Sequence, residues 1–343
     1  MTTAKGASPK RPVRKTPPLL QFTQAVARVT GGTILGVTML ASSVIAGGLV
    51  GLAISFRNLP DVRVLRNYVP VETSYIYDIN GKLLSSMHGE ANRENMPLNQ
   101  ISPNLKLAVL AIEDSHFYSH SGVNPIGIMR ALVANLQAGK TVEGGSTITM
   151  QLVKNLFLTP ERALSRKVAE AVLAMRLEQV FTKDQIFEMY MNQVYWGHNT
   201  YGAETAAESY FGKSSANLTL GEAAMMAGLV QAPESFSPFV SNKKVKKTFR
   251  CIDKDAPELA CERQLLVLNR MLELEWITDK ELQAARNQTI KLGNITSFRG
   301  SAFPQITNAV VQELTRKFGQ EEMLKGGMRV QTTIDTELQL TAQ

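Results

Sequence analysis

The spacing of apolar positions changes character along the chain, and each change predicts a different element. From Gly31 to Phe56, GGTILGVTMLASSVIAGGLVGLAISF runs for 26 residues without a charge. As a helix it is about 39 Å long, enough to cross a hydrocarbon core of roughly 30 Å with some tilt. A cleaved signal peptide is the competing reading, but its apolar region usually holds only ~7–15 residues before a small-x-small site. No convincing site precedes Arg57, so the pattern favours an uncleaved anchor. Next, Tyr75 to Leu84 (YIYDINGKLL) alternates around Asn80-Gly81, a hairpin signal. From residue 102 the period becomes helical. Ser102-Pro103 offers an N-cap and a first-turn proline. Thr182/Gln185, Thr219/Glu222 and Thr278/Glu281 each fit a capping box before an apolar run. Met328 to Ile334 alternates again and is rich in β-branched residues, predicting a strand. The expected organisation is a basic tail over 1–30, a transmembrane anchor over 31–56 and a hairpin-containing linker over 57–101. A mainly α domain over 102–290 and a small β-containing connector over 291–343 follow.

The net charge of +7 suggests a nucleic-acid partner only until its distribution is read. Six of the 37 basic residues, and no acid, fall within residues 1–56; the remainder holds 31 basic residues against 30 acidic ones. The basicity therefore belongs to the tail, where it keeps the N-terminus cytoplasmic and leaves the later residues outside. No nucleic-acid partner is expected. In that outside region Cys251 and Cys261 flank a polar stretch with Pro257. They are either two unrelated thiols or a stapled loop. Two cysteines exclude a cysteine-rich zinc site.

Four segments carry candidate chemistry. In LAVLAIEDSHFYSHSGV an apolar run ends at Glu113-Asp114. If the helix continues, Glu113, Phe117 and His120 stack on one face. A carboxylate at such an apolar mouth is partly desolvated and suited to general acid or base work, unless the helix end simply meets solvent. In GGSTITMQLVKN, Gly144-Gly145 allow a turn, Ser146 and Thr147 supply hydroxyls at a helix start, and Lys154 follows. That is an anion cradle or an ordinary loop and helix, and it is not a nucleotide P-loop. In RKVAEAVLAM, Glu170 lies three and four residues after Lys167 and Arg166, as a surface ion pair or as part of a polar cleft. Lys183 to Gly197 is amphipathic; packing explains it, with Tyr190 and Asn192 as possible borders of a sugar site. A fifth stretch, IGIMRALVANL around Arg130, is either a core helix or one that enters lipid.

In this order the segments resemble glycosyltransferase family 51, the lysozyme-like peptidoglycan polymerase module of class A penicillin-binding proteins. Glu113, Asp114, Phe117, His120 and Gly122 match its first motif. Gly144, Gly145, Ser146, Thr147, Gln151, Lys154 and Asn155 match the second, with Met150 where many members carry another glutamine. Arg166, Lys167 and Glu170 match the third. Lys183, Tyr190 and Asn192 resemble the fourth, and Leu220 to Leu229 with Gln231 and Pro233 the fifth. The last eighteen residues resemble the connector before a transpeptidase domain. That domain's Lys-Thr-Gly is missing from these residues and Ser241-Asn-Lys-Lys244 is a basic loop, so transpeptidase activity is not expected of them. Either the natural chain continues or a partner crosslinks.

The resemblance implies an enzyme that polymerises lipid II into glycan strands by inverting transfer, releasing polyprenyl diphosphate. Glu113 and Glu170 are then its catalytic pair, Glu113 as the base. Asp114, Phe117, His120, Ser146, Thr147, Gln151, Lys154, Asn155, Arg166 and Lys167 become substrate-binding residues. Glu170 positions the cations or, indirectly, a divalent ion such as Mg or Mn. No organic cofactor is expected. The expected partners are lipid II, the growing glycan, the lipid bilayer and other cell-wall synthesis proteins, on the outer face of the cytoplasmic membrane. Two other classes compete. A two-carboxylate glycan hydrolase has no use for a basic diphosphate cradle, and a non-catalytic wall-binding scaffold predicts that Glu113 is dispensable.

Overall fold

The computed structural model describes residues 22, 30–33, 35–44, 46–48, 51, 59–67, 72–87, 92–139, 144–158, 164–239, 247–293, 304–319 and 327–342. Most of the basic tail, much of the predicted span beyond Gly48, Lys140 to Glu143 and the Ser241 to Lys244 segment lie outside them. Among the described residues, one helix is long and apolar enough to cross a membrane, Thr30–Gly48. It belongs to a unit of its own, residues 1–59, while residues 60–343 form a second.

The second unit opens with a short 3-10 helix, Val62–Asn67, followed by a hairpin. Strand β1 (Ser74–Tyr77) pairs antiparallel with β2 (Leu83–Met87) across the Asn80-Gly81 turn. Asp78 ties this turn, its Oδ1 accepting from the Asn80 and Lys82 amides at 2.9 and 2.7 Å. After β3 (Asn92–Arg93) the chain is helical: α1 (Pro103–Glu113), α2 (Pro125–Ala138), α3 (Ile148–Phe157), α4 (Leu164–Val180) and α5 (Lys183–Gln193). Strands β4 (Tyr195–Gly197) and β5 (Thr200–Tyr201) lead into α6 (Ala203–Phe211), α7 (Leu220–Leu229) and α8 (Pro233–Phe236). Beyond β6 (Thr248–Phe249) come α9 (Glu258–Glu273), α10 (Asp279–Asn287) and β7 (Ile290–Lys291). The last elements are α11 (Pro304–Phe318), β8 (Arg329–Gln331) and α12 (Thr336–Ala342). The fold class is mainly α, as the periodicity requires.

All three capping boxes form, at Thr182/Gln185, Thr219/Glu222 and Thr278/Glu281, starting α5, α7 and α10. Ser102 starts α1 without a side-chain cap; its hydroxyl instead donates to the Leu218 carbonyl at 3.0 Å, binding α1 to the segment before α7. Helix α7 is the centre of the core. Every residue from Gly221 to Leu229 is buried, and α1 and α9 pack against it. Small residues make this approach close: a Cβ on Gly221 would stand 2.8 Å from the Ala285 carbonyl oxygen of α10. The two cysteines form a disulfide at the start of α9, with Cα atoms 5.2 Å apart.

The segments before and after the helical region meet in space. Strand β8 lies parallel to β1, giving a sheet of order β2-β1-β8. Ile76 and Leu84 of that sheet pack with Val310, Val311 and Leu314 of α11 and with Val330 and Ile334. On the helical side, β3 pairs parallel with β5. Linker and connector thus share a sheet, and the linker is also stitched to the helices.

Candidate active site

Helix α1 stops at Glu113, which corrects the expectation that Glu113, Phe117 and His120 share a helix face. Asp114 leaves helical geometry (φ −161°, ψ 77°). Its Oδ2 accepts from the Ile148 amide at 3.1 Å and lies 2.9 Å from His120 Nε2. A three-residue 3-10 turn, Phe117–Ser119, follows. Asp114 therefore joins the end of α1 to the start of α3, with His120 bracing it from behind. Gly122 (φ +89°) lets this loop press against α4; an added Cβ would stand 2.7 Å from the Ala174 carbonyl carbon.

The result is a cleft of ≈ 660 Å³. Glu113, Asp114, Ser146, Thr147, Gln151, Lys154, Lys167 and Glu170 line it, with Arg130, Gln231, Arg263 and Arg270 among their neighbours. Glu113 is partly buried, and Gln151 Nε2 donates to its Oε2 at 2.7 Å. Burial pushes the Glu113 carboxyl above the ordinary glutamate range; the Gln151 hydrogen bond and the Arg263 charge oppose that rise, while Asp114 adds to it.

Glu170, in the lining of the same cleft, is 1% exposed yet bound to two cations. Lys167 Nζ donates to Glu170 Oε2 at 2.5 Å and to Ser146 Oγ at 2.7 Å. Arg166 Nε stands 3.1 Å from Glu170 Oε1 at an angle too bent for a hydrogen bond, so this contact is an ion pair. Lys154, on α3, is exposed. A divalent ion held by protein does not fit these donors. The Glu170 carboxylate is already matched by two positive charges, and among the described residues no group of three carboxylate, histidine or cysteine side chains is arranged to hold a metal ion.

Several expected site residues have other duties. Phe117 is 1% exposed and packs on Phe187 at 5.7 Å under Lys183, which places it in the core, and it does not line the cleft. His120 and Asn155 do not line the cleft, and Arg166 reaches it through Glu170. Thr147 caps α3: its hydroxyl donates to the Gly122 carbonyl at 2.6 Å and accepts from the Met150 amide. Asp114 and Thr147 occupy the Ile148 and Met150 amides at the start of α3, while Gly144, Gly145, Ser146 and Lys154 line the cleft. Asn192 clamps the Met96 backbone through both ends of its amide, and Tyr190 is buried; neither lines the cleft. Helix α2 also departs from core burial: Ile126, Met129, Leu132, Val133 and Leu136 are all exposed.

Arg263 was missed. Its Nε donates to the Gly228 carbonyl at 3.1 Å and its guanidinium lies 4.9 Å from the Phe236 ring centre. Its signal was a polar stripe on α9, Arg263, Asn269, Arg270 and Glu273, whose members all reach the cleft.

The first three motifs and Gln231 of the fifth thus converge on one groove, and the sequence profile described as Transglycosylase matches residues 80–271. The chain belongs to the transglycosylase family. It is a peptidoglycan glycosyltransferase by that membership. Penicillin-binding protein 1A of Aquifex aeolicus is 37% identical over 310 residues, covering 90% of this chain and 40% of that protein. Its counterpart in Escherichia coli K12 is 38% identical over 299 residues, covering 87% and 33%. The chain therefore spans well under half the length of these transglycosylase relatives. The crystal structure of penicillin-binding protein 1A from Haemophilus influenzae aligns with 80% of this chain and 28% of its own, at 26% identity and a TM-score of 0.44.

Proposed function

We propose that this transglycosylase polymerises lipid II, joining the acceptor's 4-hydroxyl to the donor's anomeric carbon with inversion and release of polyprenyl diphosphate. The observation that carries this reading is a carboxylate and a set of cations lining one groove: Glu113 with its amide donor, together with Lys154 and Lys167. Glu113 accepts the acceptor's hydroxyl proton as the oxygen attacks. The departing diphosphate is already anionic and needs no protein acid; it needs positive charge that is in place before the bond breaks. Lys154 and Lys167 supply it, and Glu170 holds Lys167 and Arg166 in position.

The exposed apolar face of α2 supports contact with the bilayer that holds the substrate's lipid tail. The Thr30–Gly48 helix supports a single-pass anchor, with the basic tail inside and the catalytic unit on the outer face. Tethering enzyme and substrate to one membrane raises their encounter frequency. Other cell-wall synthesis proteins are natural partners for such a polymerase.

Replacing Glu113 by Gln keeps shape and removes the base. Polymerisation of lipid-linked disaccharide-peptide in detergent is expected to fall by ~10²–10⁴-fold, with substrate binding retained. Near-normal chain growth by Glu113→Gln would overturn the assignment. Shortening of preformed glycan by the parent protein, with no growth from the lipid-linked precursor, would favour the hydrolase instead.

A further inference from the structure

The amide that contacts the base is itself held from behind. Gln151 sits in the first turns of α3; its Nε2 faces Glu113 and its Oε1 accepts from the Tyr190 hydroxyl at 3.2 Å. Tyr190 belongs to α5, which packs against α3, and is 1% exposed. It does not line the cleft, so it has no direct path to substrate. Three helices thus meet in one chain of contacts: phenol, amide, carboxylate.

A primary amide has a donor end and an acceptor end, whereas an ionised carboxylate only accepts. If Gln151 turned over, its Oε1 would oppose the Glu113 oxygens and the base would lose a donor in a partly buried place. A phenol O–H directed at Oε1 favours the other orientation, with the N–H on the carboxylate. We propose that Tyr190 is a positioning residue for glycosyl transfer: it locks the Gln151 amide so that Glu113 stays ionised, with its second oxygen turned to the acceptor. This rests on the reading of Glu113 as the base. The other charged groups that bear on Glu113 are Asp114, beside it at the end of α1, and Arg263 from α9, and they act in opposite senses. The relay adds a neutral donor whose direction is set by packing.

Tyr190→Phe deletes the hydroxyl and keeps the ring. In the full chain, assayed in detergent with lipid-linked disaccharide-peptide, the acid limb of kcat/KM is expected to move up by about half to one pH unit. The kcat should fall several-fold below that limb and recover above it, with KM little changed. Gln151→Leu, which removes the donor itself, should shift the limb at least as far. Adding Tyr190→Phe to it should then shift the limb no further, because both act through one contact. A purely structural tyrosine would lower the thermal midpoint and leave the pH profile superimposable on the parent's, and that result overturns the proposal. Additive shifts in the double variant, or a downward shift in Tyr190→Phe, overturn it too. Glu113→Gln assayed alongside separates the failures. An inactive Glu113→Gln with an unmoved Tyr190→Phe profile sinks the relay alone, while an active Glu113→Gln removes the base on which it rests.

Discussion

At the scale of single residues, one neutral contact and one charge cluster decide the chemistry. Glu113 works as a base only when ionised, and burial raises its pKa above the ordinary glutamate value of 4.5. Activity should therefore be lost on the acid side as pH falls through that raised value, at a higher pH than an exposed glutamate would give. Initial rates across pH 4 to 8 check this. A limb at the ordinary glutamate value contradicts the assigned burial. Glu170 plays a different part: at 1% exposure it is paired with both Arg166 and Lys167. Glu170→Gln leaves those cations without their anchor. Buried pairs cost about 3–5 kcal/mol to break; with Arg166 and Lys167 19% and 48% exposed, about 1–3 kcal/mol is the expected loss. The rate should fall on the order of 10²-fold, because charge at the leaving group is no longer positioned. A variant with normal turnover and only a lower thermal midpoint would reduce Glu170 to scaffolding.

Elements differ in how much of themselves the chain announces. The three capping boxes and the Asn80-Gly81 hairpin were legible because each is complete within a few neighbouring residues. The end of α1 was not. Nothing local forbids another turn after Glu113; the helix stops because Asp114 finds the Ile148 amide and His120, partners whose position depends on tertiary folding. Motif order identified Glu113, Gln151, Lys167 and Glu170 as one site, but not which motif residues only support it. Phe117 and Asn192 belong to the motifs and here serve packing and a clamp, while Thr147 both caps α3 and lines the cleft. Arg263 escaped because its helix lies beyond the motifs, on an amphipathic face that packing alone also explains. Gly122 tests how firmly these elements interlock. Its φ of +89° strains any other residue, and a Cβ meets backbone of α4, which cannot move aside cheaply. Gly122→Ala is expected to cost about 2–4 kcal/mol, read as a lowered urea midpoint. An unchanged midpoint would mean that α4, and Glu170 with it, is not fixed by this contact.

Over the whole catalytic unit, residues far apart in the chain close a seam that is sensitive to protons. Strand β8 returns to β1, and Arg329 pairs with Glu94, just after β3. Tyr75 from β1 hydrogen-bonds to Glu94, and Glu204 and Glu208 of α6 face the same carboxylate, with Glu72 and Tyr77 nearby. Burial, then the charges of Glu94 and Glu204, push Glu208 up to about 7, and Arg329 restrains the rise. The sign follows from proton counting. Between the ordinary value of 4.5 and about 7, folded Glu208 keeps a proton that the unfolded chain has released. Stability from this site is therefore greatest at low pH and declines as pH rises through that window, then levels off. Arg329→Gln removes the restraining cation and makes the decline larger. Because the Arg329 side chain is 65% exposed, solvent screens the pair and the added loss should be no more than about 1 kcal/mol. The variant should match the parent closely at pH 5, where Glu208 is protonated in both, and fall below it at pH 8. Urea midpoints at the two pH values measure the difference. Equal losses at both would mean that Arg329 joins β8 to the helical region by packing, with no contribution from the carboxylates around it.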